Sequence, residues 1–246
     1  MKTPLGAALK ARKLLRGISI NTCCSEFLEI ISNSGLDWAF IDQEHSALDF
    51  ADLRLILQIL QPELYSVIRL VDQSEHSVKK CLDLGADGII IPQIHNAKEL
   101  EQIIQFAKYT PLGNRSVGLY RAQQYGKSFK QYLSQANDST AVIALIENVE
   151  AVKNISEIVK VTGLSAIYIG PADLSASLGV IGQTDHPLVL EAIEAVRSAA
   201  VSQQLSIGIY ANSTEQQLEL NAQGYNLFSL ATDITMFESA LRKIAQ

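Results

Sequence analysis

The sequence predicts an α/β fold, a single (β/α)8 TIM barrel, and three observations support this. Eight short runs rich in β-branched and aromatic residues recur along the chain, each followed by a segment with helical spacing of its apolar residues. Eight such units in 246 residues match the size of this barrel. Hydrophobic residues make up 48% of the chain and charged residues 19%, which allows a large core and excludes charge-driven disorder. We therefore expect one domain over residues 1–246.

The predicted strands alternate with helical segments along the whole chain. They are 16–20, 37–41, 65–69, 87–91, 141–146, 165–169, 205–210 and 226–230. Leu53 and Ile56 illustrate the helical spacing between the second and third strands. A glycine lies two residues before three of the strands, at Gly35, Gly85 and Gly224. At these positions a positive φ would end the preceding helix, so the same kind of αβ unit recurs.

One segment departs from this alternation, residues 110–138, which we call the insertion. It is too long for an ordinary barrel loop, and it contains Tyr120, Tyr125 and Tyr132. We interpret it as a loop with a short helix that either covers the site as a lid or packs on a neighbouring subunit. A plain linker is the alternative, which the aromatic content disfavours.

Composition excludes several classes of function. The net charge is −6 and no long basic run occurs, so nucleic acid is not an expected partner. Cys23, Cys24 and Cys81 show no spacing typical of zinc ligands or a disulfide framework. No signal-peptide pattern and no apolar run of about 20 residues occurs. We therefore expect a cytoplasmic protein that does not contact membranes.

Polar residues cluster at the predicted ends of consecutive strands, where a barrel places its active site. The segments at these strand ends are Asp42, Gln43, Glu44 and His45; Arg69; Pro92 and Gln93; Glu147; and Gly170, Pro171, Ala172 and Asp173, and each contains at least one polar side chain. Glu147 and Asp173 follow adjacent strands, which lie about 4.8 Å apart. Two carboxylates with open positions suit a divalent ion such as Mg²⁺ or Mn²⁺. Each acid alone is also typical of a helix N-terminus, but the pair at neighbouring strand ends favours a metal.

Two further residues are candidates for chemistry. His45 lies beside Asp42 and Glu44, which can orient an imidazole and raise its basicity, as a general base requires. Arg69 ends an apolar strand, where a buried guanidinium needs an anion: the nearby acids, or a substrate carboxylate or enolate. The alternatives are an exposed histidine without a role and a structural salt bridge.

Lysine positions exclude one mechanism. Schiff-base catalysis in a barrel needs an amine on a strand or at its end, and no lysine is predicted there. The chain after strands 7 and 8 lacks the glycine-rich turns with which many barrels bind phosphate, so a sugar phosphate is a poor candidate for the substrate.

Three strings of residues resemble those of the HpcH/HpaI aldolases, which are class II, metal-dependent pyruvate aldolases. They are Phe-Ile-Asp-Gln-Glu-His at 40–45, Arg-Ser-Val-Gly at 115–118, and Tyr-Ile-Gly-Pro-Ala-Asp-Leu-Ser at 168–175. The likeness keeps its order and spacing through nearly the whole chain. It implies a cofactor among Mg²⁺, Mn²⁺ and Co²⁺, with Glu147 and Asp173 as ligands.

The resemblance also implies roles for other residues. It makes His45 the base, Arg69 the group that meets the enolate, and Asp83 a partner of His45 beside Asp42. It further places the substrate against the 170–172 segment (Gly170, Pro171, Ala172), with the N–H of Ala172 on the pyruvate carboxylate, and against Tyr210. It implies a hexamer built as a trimer of dimers, with the site close to a subunit interface.

The last helical segment supports the expectation of a homo-oligomer. Met236, Phe237, Leu241 and Ile244 lie on nearby faces, and apolar patches of this kind usually mark subunit contacts. The alternative is that this segment and the insertion pack on their own barrel.

The expected activity is cleavage of a 4-hydroxy-2-oxo acid to pyruvate and an aldehyde, or the reverse. One alternative is a lyase acting on a CoA thioester, of the citrate lyase β or malyl-CoA type, for which Arg115, Arg121, Lys127 and Lys130 of the insertion would supply basic groups. A less favoured alternative is a non-catalytic barrel subunit, since every expected catalytic position is filled.

Overall fold

The computed structural model describes residues 2–245, so Met1 and Gln246 of the predicted domain lie outside the described residues. Eight parallel strands form a closed barrel in chain order, and the last strand pairs with the first. The strands are β1 (Leu15–Ile20), β2 (Trp38–Asp42), β3 (Tyr65–Arg69), β4 (Gly88–Ile91), β5 (Ala141–Ile146), β6 (Ala166–Ile169), β7 (Ser206–Tyr210) and β8 (Leu227–Thr232). The predicted (β/α)8 barrel is confirmed, and each predicted strand end lies within two residues of the observed one.

Helices connect the strands and surround the barrel. They are α1 (Leu5–Lys10), α2 (Ser25–Ser32), α3 (Phe50–Leu60), α4 (Glu75–Asp83), α5 (Ala97–Ala107), α6 (Phe129–Ser139), α7 (Val149–Lys153), α8 (Ile155–Ile158), α9 (Pro171–Ser177), α10 (Pro187–Ser202), α11 (Thr214–Ala222) and α12 (Asp233–Ile244). Within residues 2–245, none of them is long and apolar enough to cross a membrane.

Local sequence explains where several helices begin and end. Asp49 caps α3 by accepting the backbone N–H groups of Ala51 and Asp52, and the Asp52 carboxylate accepts the N–H of Asp49 in return. The predicted helix-ending role of glycine is also confirmed, because Gly85 and Gly224 have φ values of 96° and 101°.

Large aromatic side chains fill the interior of the barrel. The rings of Trp38, Phe40 and Tyr168 lie 5.6 to 6.1 Å apart between centroids. Glycines on neighbouring strands make this possible, because a Cβ at Gly17 would meet the indole of Trp38, and a Cβ at Gly208 would overlap the ring of Tyr168. This aromatic layer forms the floor beneath the carboxyl ends of the strands.

The insertion packs on its own barrel. Arg115 has a fully buried side chain, which lies 2.6 Å from Asp83 at the end of α4 and packs against the ring of Tyr109. Arg121, in a short 3₁₀ segment, donates to the carbonyls of Leu57 and Leu84. The linker alternative is therefore wrong. Since these contacts lie near the amino ends of β3 and β4, the insertion is not a lid over the opposite face within a single chain.

Gly208→Ala is expected to lower the free energy of unfolding by about 1–3 kcal/mol, because the added methyl group would overlap the ring of Tyr168. Urea denaturation measures the change. Adding Tyr168→Leu to Gly208→Ala should recover part of the loss, with Tyr168→Leu alone as the control. An unchanged midpoint for Gly208→Ala would mean that the interior packs more loosely than the structure shows.

Candidate active site

The parallel closed barrel brings the carboxyl ends of all strands to one face, and most of the predicted residues lie there. Asp42 is the last residue of β2, Arg69 the last of β3 and Tyr210 the last of β7. Glu147 directly follows β5, and Asp173 lies in the first turn of α9, after β6. We call this group of side chains at the carboxyl ends the acidic site.

A buried ion pair between Arg69 and Asp42 lies at its centre. The Nε of Arg69 donates to Oδ1 of Asp42 at 2.9 Å, and Nη2 donates to Oδ2 at 2.7 Å. Burial alone would raise the pKa of Asp42, but the hydrogen bonds and charge of Arg69 outweigh it and hold that pKa below its ordinary value. A bidentate pair of this kind fixes the plane of the guanidinium.

One edge of the guanidinium remains incompletely satisfied. Nη1 of Arg69 lies 3.2 Å from Oε2 of Glu44, but Oε2 is buried and accepts no hydrogen bond of acceptable geometry among the described residues. Burial raises the pKa of Glu44, although the charge of Arg69 opposes that effect. The Cζ of Arg69 also lies 5.3 Å from the centroid of the Phe40 ring below it. This edge of the guanidinium therefore faces the carboxylate of Glu44.

Asp42 contacts the main chain of His45 rather than its ring. Oδ1 of Asp42 accepts the N–H groups of Glu44 at 3.0 Å and His45 at 3.2 Å, which fixes the loop after β2. The imidazole of His45 is 62% exposed, and its Nε2 lies 3.9 Å from Oε2 of Glu44. The loop backbone is therefore held firmly, while the ring faces the open side of the site.

Glu147 is almost fully buried, and a strained residue holds it. Gln93 adopts a left-handed conformation with φ of 54°, and its N–H donates to Oε1 of Glu147 at 2.7 Å. The amide of Gln73 donates to the carbonyl of Gln93 and so supports this conformation. A Cβ at Gly170 would lie 3.1 Å from the Cβ of Glu147, so glycine at 170 gives this carboxylate its space.

The charge balance of the site fits a bound cation. The carboxylates of Asp42, Glu44 and Glu147 act on the Arg69 guanidinium, and Asp173 adds its charge to Glu44 and Glu147. Burial, together with the charges of Glu44 and Asp173, raises the pKa of Glu147 to about 7. Residues 2–245 contain no group of three His, Cys, Asp or Glu side chains arranged to hold a metal. The two predicted ligands, Glu147 and Asp173, fall below that number.

Asp83 lies away from the other candidates. It is the last residue of α4, and nine residues of helix correspond to about 13 Å along the axis. Its carboxylate pairs with Arg115, and no hydrogen bond joins it to His45 in the described chain. A single chain does not bring Asp83 and His45 together.

The remaining predicted residues line the start of α9 and the end of β7. Gly170 precedes the helix and Pro171 is its first residue, so the N–H of Ala172 belongs to the first turn, where amides have no partner within the helix. Tyr210 is half-buried. These groups border the acidic site.

Sequence reasoning missed two residues of this face. Asn21 follows β1 and donates from its side-chain amide to Oδ2 of Asp42 at 3.2 Å. Asp233 follows β8 and accepts the N–H of Asn21. The rule that identified the other candidates, a polar residue directly after a strand, finds Asn21 when applied to the first strand. It does not find Asp233, because the last strand was predicted to end at residue 230 and extends to Thr232.

Lys108 has the chemistry of an imine-forming lysine but not its location. Burial lowers its pKa to about 8, and its Nζ donates to the carbonyls of Asn137 and Thr140 at 2.7 and 2.6 Å. Thr140 immediately precedes β5, so this amine lies at the amino ends of the strands, opposite the acidic site.

Borohydride reduction in the presence of pyruvate is therefore expected to leave no covalent lysine adduct, because no described lysine lies at the acidic site. Mass spectrometry of the intact protein provides the measurement, and an aldolase known to form an imine is the positive control. A trapped adduct would contradict this expectation, and peptide mapping would show whether Lys108 carries it.

The fold and these side chains define a (β/α)8 barrel protein with a cluster of carboxylates around one arginine at the carboxyl ends of its strands. The chain matches the HpcH/HpaI aldolase/citrate lyase family over residues 20–240, and it belongs to that family. The 2-keto-3-deoxy-L-rhamnonate aldolase of Salmonella gallinarum is 32% identical over 244 residues, which cover 98% of this chain and 91% of the relative.

Two solved structures support the same assignment. A HpcH/HpaI aldolase/citrate lyase family protein from Burkholderia cenocepacia has a TM-score of 0.93 at 28% identity, covering 98% of this chain and 97% of that one. A HpcH/HpaI aldolase from Desulfitobacterium hafniense has a TM-score of 0.91 at 28% identity, covering 99% and 96%. The similarity to the family suggested by the sequence is thus confirmed.

Proposed function

We propose that this protein is a divalent-metal-dependent aldolase, an aldehyde-lyase that cleaves a 4-hydroxy-2-oxo acid to pyruvate and an aldehyde, or catalyses the reverse. The observation that carries the proposal is the acidic site itself, in which a rigid arginine lies beside carboxylates with excess negative charge. Membership of the family and the name of the 32% identical relative, an aldolase of a 2-keto acid, support it.

Glu147 and Asp173 would hold the metal ion, which we propose to be Mg²⁺, Mn²⁺ or Co²⁺. When bound, it would supply Lewis acidity toward the carboxylate and keto oxygens of the substrate. The N–H of Gln93 keeps the Glu147 carboxylate in one orientation, and Gly170 leaves room for it.

The chain's own groups account for the movement of charge and protons. The Nη1 edge of Arg69 stabilises the negative charge on the enolate oxygen, because Asp42 holds the guanidinium in advance. His45 accepts the proton of the C4 hydroxyl as the C3–C4 bond breaks and the aldehyde leaves. The electron pair forms the enolate of pyruvate, and the proton returned to C3 completes the product.

The substrate's carboxylate would be bound by backbone rather than by a basic cluster. The N–H of Ala172 lies in the first turn of α9, and Tyr210 borders the same space. The CoA alternative is weakened, because two of the four basic groups expected to serve it are occupied. Arg115 pairs with Asp83, and Arg121 binds backbone carbonyls.

EDTA is expected to abolish activity, and a divalent ion to restore it. Glu147→Gln and Asp173→Asn should each weaken Mn²⁺ binding at least about tenfold by calorimetry, since each removes a charged ligand from a two-carboxylate set. Glu157→Gln, which removes an exposed acid paired with Lys160, is the matched control. Wild-type affinity and turnover in either site variant would contradict the ligand assignment.

His45→Ala is expected to lower the rate of exchange of the pyruvate methyl protons with solvent by about 10²-fold, the usual contribution of a positioned base. Proton NMR in deuterated water measures this rate. His95→Ala is the control, because His95 is another exposed histidine paired with an acid, Glu99. An unchanged rate in His45→Ala would assign the proton transfer to a different group.

We also propose that the protein is a homo-oligomer, a hexamer formed as a trimer of dimers. Apolar side chains on α12 are half or more exposed in the single chain, among them Ile234, Met236, Phe237 and Ile244. Exposed apolar side chains grouped on one helix favour a subunit contact. Association near the acidic site would also cover the exposed ring of His45.

Light scattering coupled to gel filtration is expected to show the hexamer, and Met236→Glu with Leu241→Glu should dissociate it, because both place charge on the apolar face of α12. Lys243→Glu is the control for a charge change on the same helix. A fully active monomer would exclude a site shared between subunits.

A further inference from the structure

The closure of the barrel is secured by Asp233, the first residue of α12, at the end of β8. Its buried carboxylate accepts the N–H of Asn21 at 3.1 Å, the N–H of Thr22 at 3.0 Å and the hydroxyl of Thr22 at 2.8 Å. It also accepts the N–H of the next residue, Ile234, at 2.8 Å. The chain after β1 is thus fixed to the chain after β8.

The side chain of Asn21 extends this connection into the acidic site. Its Nδ2 donates to Oδ2 of Asp42 at 3.2 Å, and the same oxygen accepts Nη2 of Arg69 at 2.7 Å. The other oxygen, Oδ1, accepts Nε of Arg69 and the N–H groups of Glu44 and His45. Apart from Asn21, every donor to the Asp42 carboxylate belongs either to Arg69 or to the loop after β2.

This arrangement gives Asn21 a distinct part in holding the carboxylate. A long arginine side chain has many rotamers, and only partners with fixed positions restrict it to one. The backbone N–H groups of Glu44 and His45 hold Oδ1 of Asp42 in place. Without Asn21, the only donor to Oδ2 would be the Arg69 guanidinium, which is the group to be positioned. Asn21 is a donor to Oδ2 that does not depend on Arg69, and Asp233 holds the backbone of Asn21 at the end of β8.

We propose that Asn21 is a positioning residue that acts through Asp42 to hold the Arg69 guanidinium, with Asp233 as its anchor. The role rests on the proposed function, in which Arg69 offsets enolate charge. Since the orientation of Arg69 matters most when that charge develops, loss of Asn21 lowers kcat more than it raises KM.

The kinetic test compares two substitutions with different shapes. Asn21→Ala should lower kcat for proton exchange into pyruvate by about tenfold, in line with a hydrogen bond to a charged group, with KM within about twofold. Asn21→Asp has nearly the same shape as asparagine but sets a second carboxylate against Asp42, so it should lower kcat further. A role in filling space predicts instead that Asn21→Asp keeps wild-type kcat, and that result would overturn the proposal.

Asn212→Ala is the matched control, because Asn212 is an exposed asparagine just after β7 whose side chain makes no described hydrogen bond. Asp233→Ala should resemble Asn21→Ala, and the double variant should lose no more than the larger single loss, since both residues act through one connection. Independent, additive losses would count against the connection. If Asp233→Ala does not fold, the kcat values of Asn21→Ala and Asn21→Asp still decide whether the proposal holds.

A crystal structure of Asn21→Ala separates this proposal from the proposed function, because it needs no activity. Arg69 should occupy more than one rotamer or lose a bond to Asp42. A wild-type guanidinium with both bonds intact would overturn the positioning role. Absence of pyruvate chemistry in the wild-type protein would overturn the proposed function and leave the crystallographic result to stand by itself.

Discussion

The acidic site depends on the buried pair between Arg69 and Asp42. That pair joins β2 to β3, holds the loop that carries Glu44 and His45, and receives the amide of Asn21 from the first strand. Breaking a buried pair by removing one partner typically costs about 3–5 kcal/mol. The cost is large because the charge that remains is buried away from water. Keeping the pair intact therefore restricts the motion of the Arg69 side chain.

An excess of negative charge explains the remainder of the site. Arg69 pairs with Asp42 and also lies 3.2 Å from Glu44, whereas Glu147 and Asp173 have no ion-pair partner among the described residues. Burial and the charges of the neighbouring acids raise the pKa of Glu147 to about 7. A cation held there, as the proposed function requires, would relieve the repulsion between these acids.

The two ends of the barrel use buried polar groups for different purposes. At the amino ends, Arg115, Arg121 and Lys108 bind carbonyls or a single acid and fasten the insertion to the barrel. These hydrogen bonds join the insertion to α3, α4 and the start of β5, so the three residues support the fold. At the carboxyl ends, Glu44 keeps an oxygen without a hydrogen bond and His45 remains exposed. Clustered negative charge, rather than an unpaired polar atom, distinguishes the acidic site, because Nε of Arg115 at the amino ends is also buried without a hydrogen bond among the described residues.

The sequence by itself determined the barrel and most of the acidic site. Strand runs and helical spacing are local signals, and in a parallel barrel a residue directly after a strand must lie at the carboxyl face, so Asp42, Arg69 and Glu147 could be assigned without coordinates. Only the tertiary structure decided which groups meet. It separated Asp83 from His45 within the chain, placed Arg115 on Asp83, and showed that Asn21 reaches Asp42. Those contacts depend on barrel closure and on side-chain direction across elements distant in sequence, which no local pattern encodes.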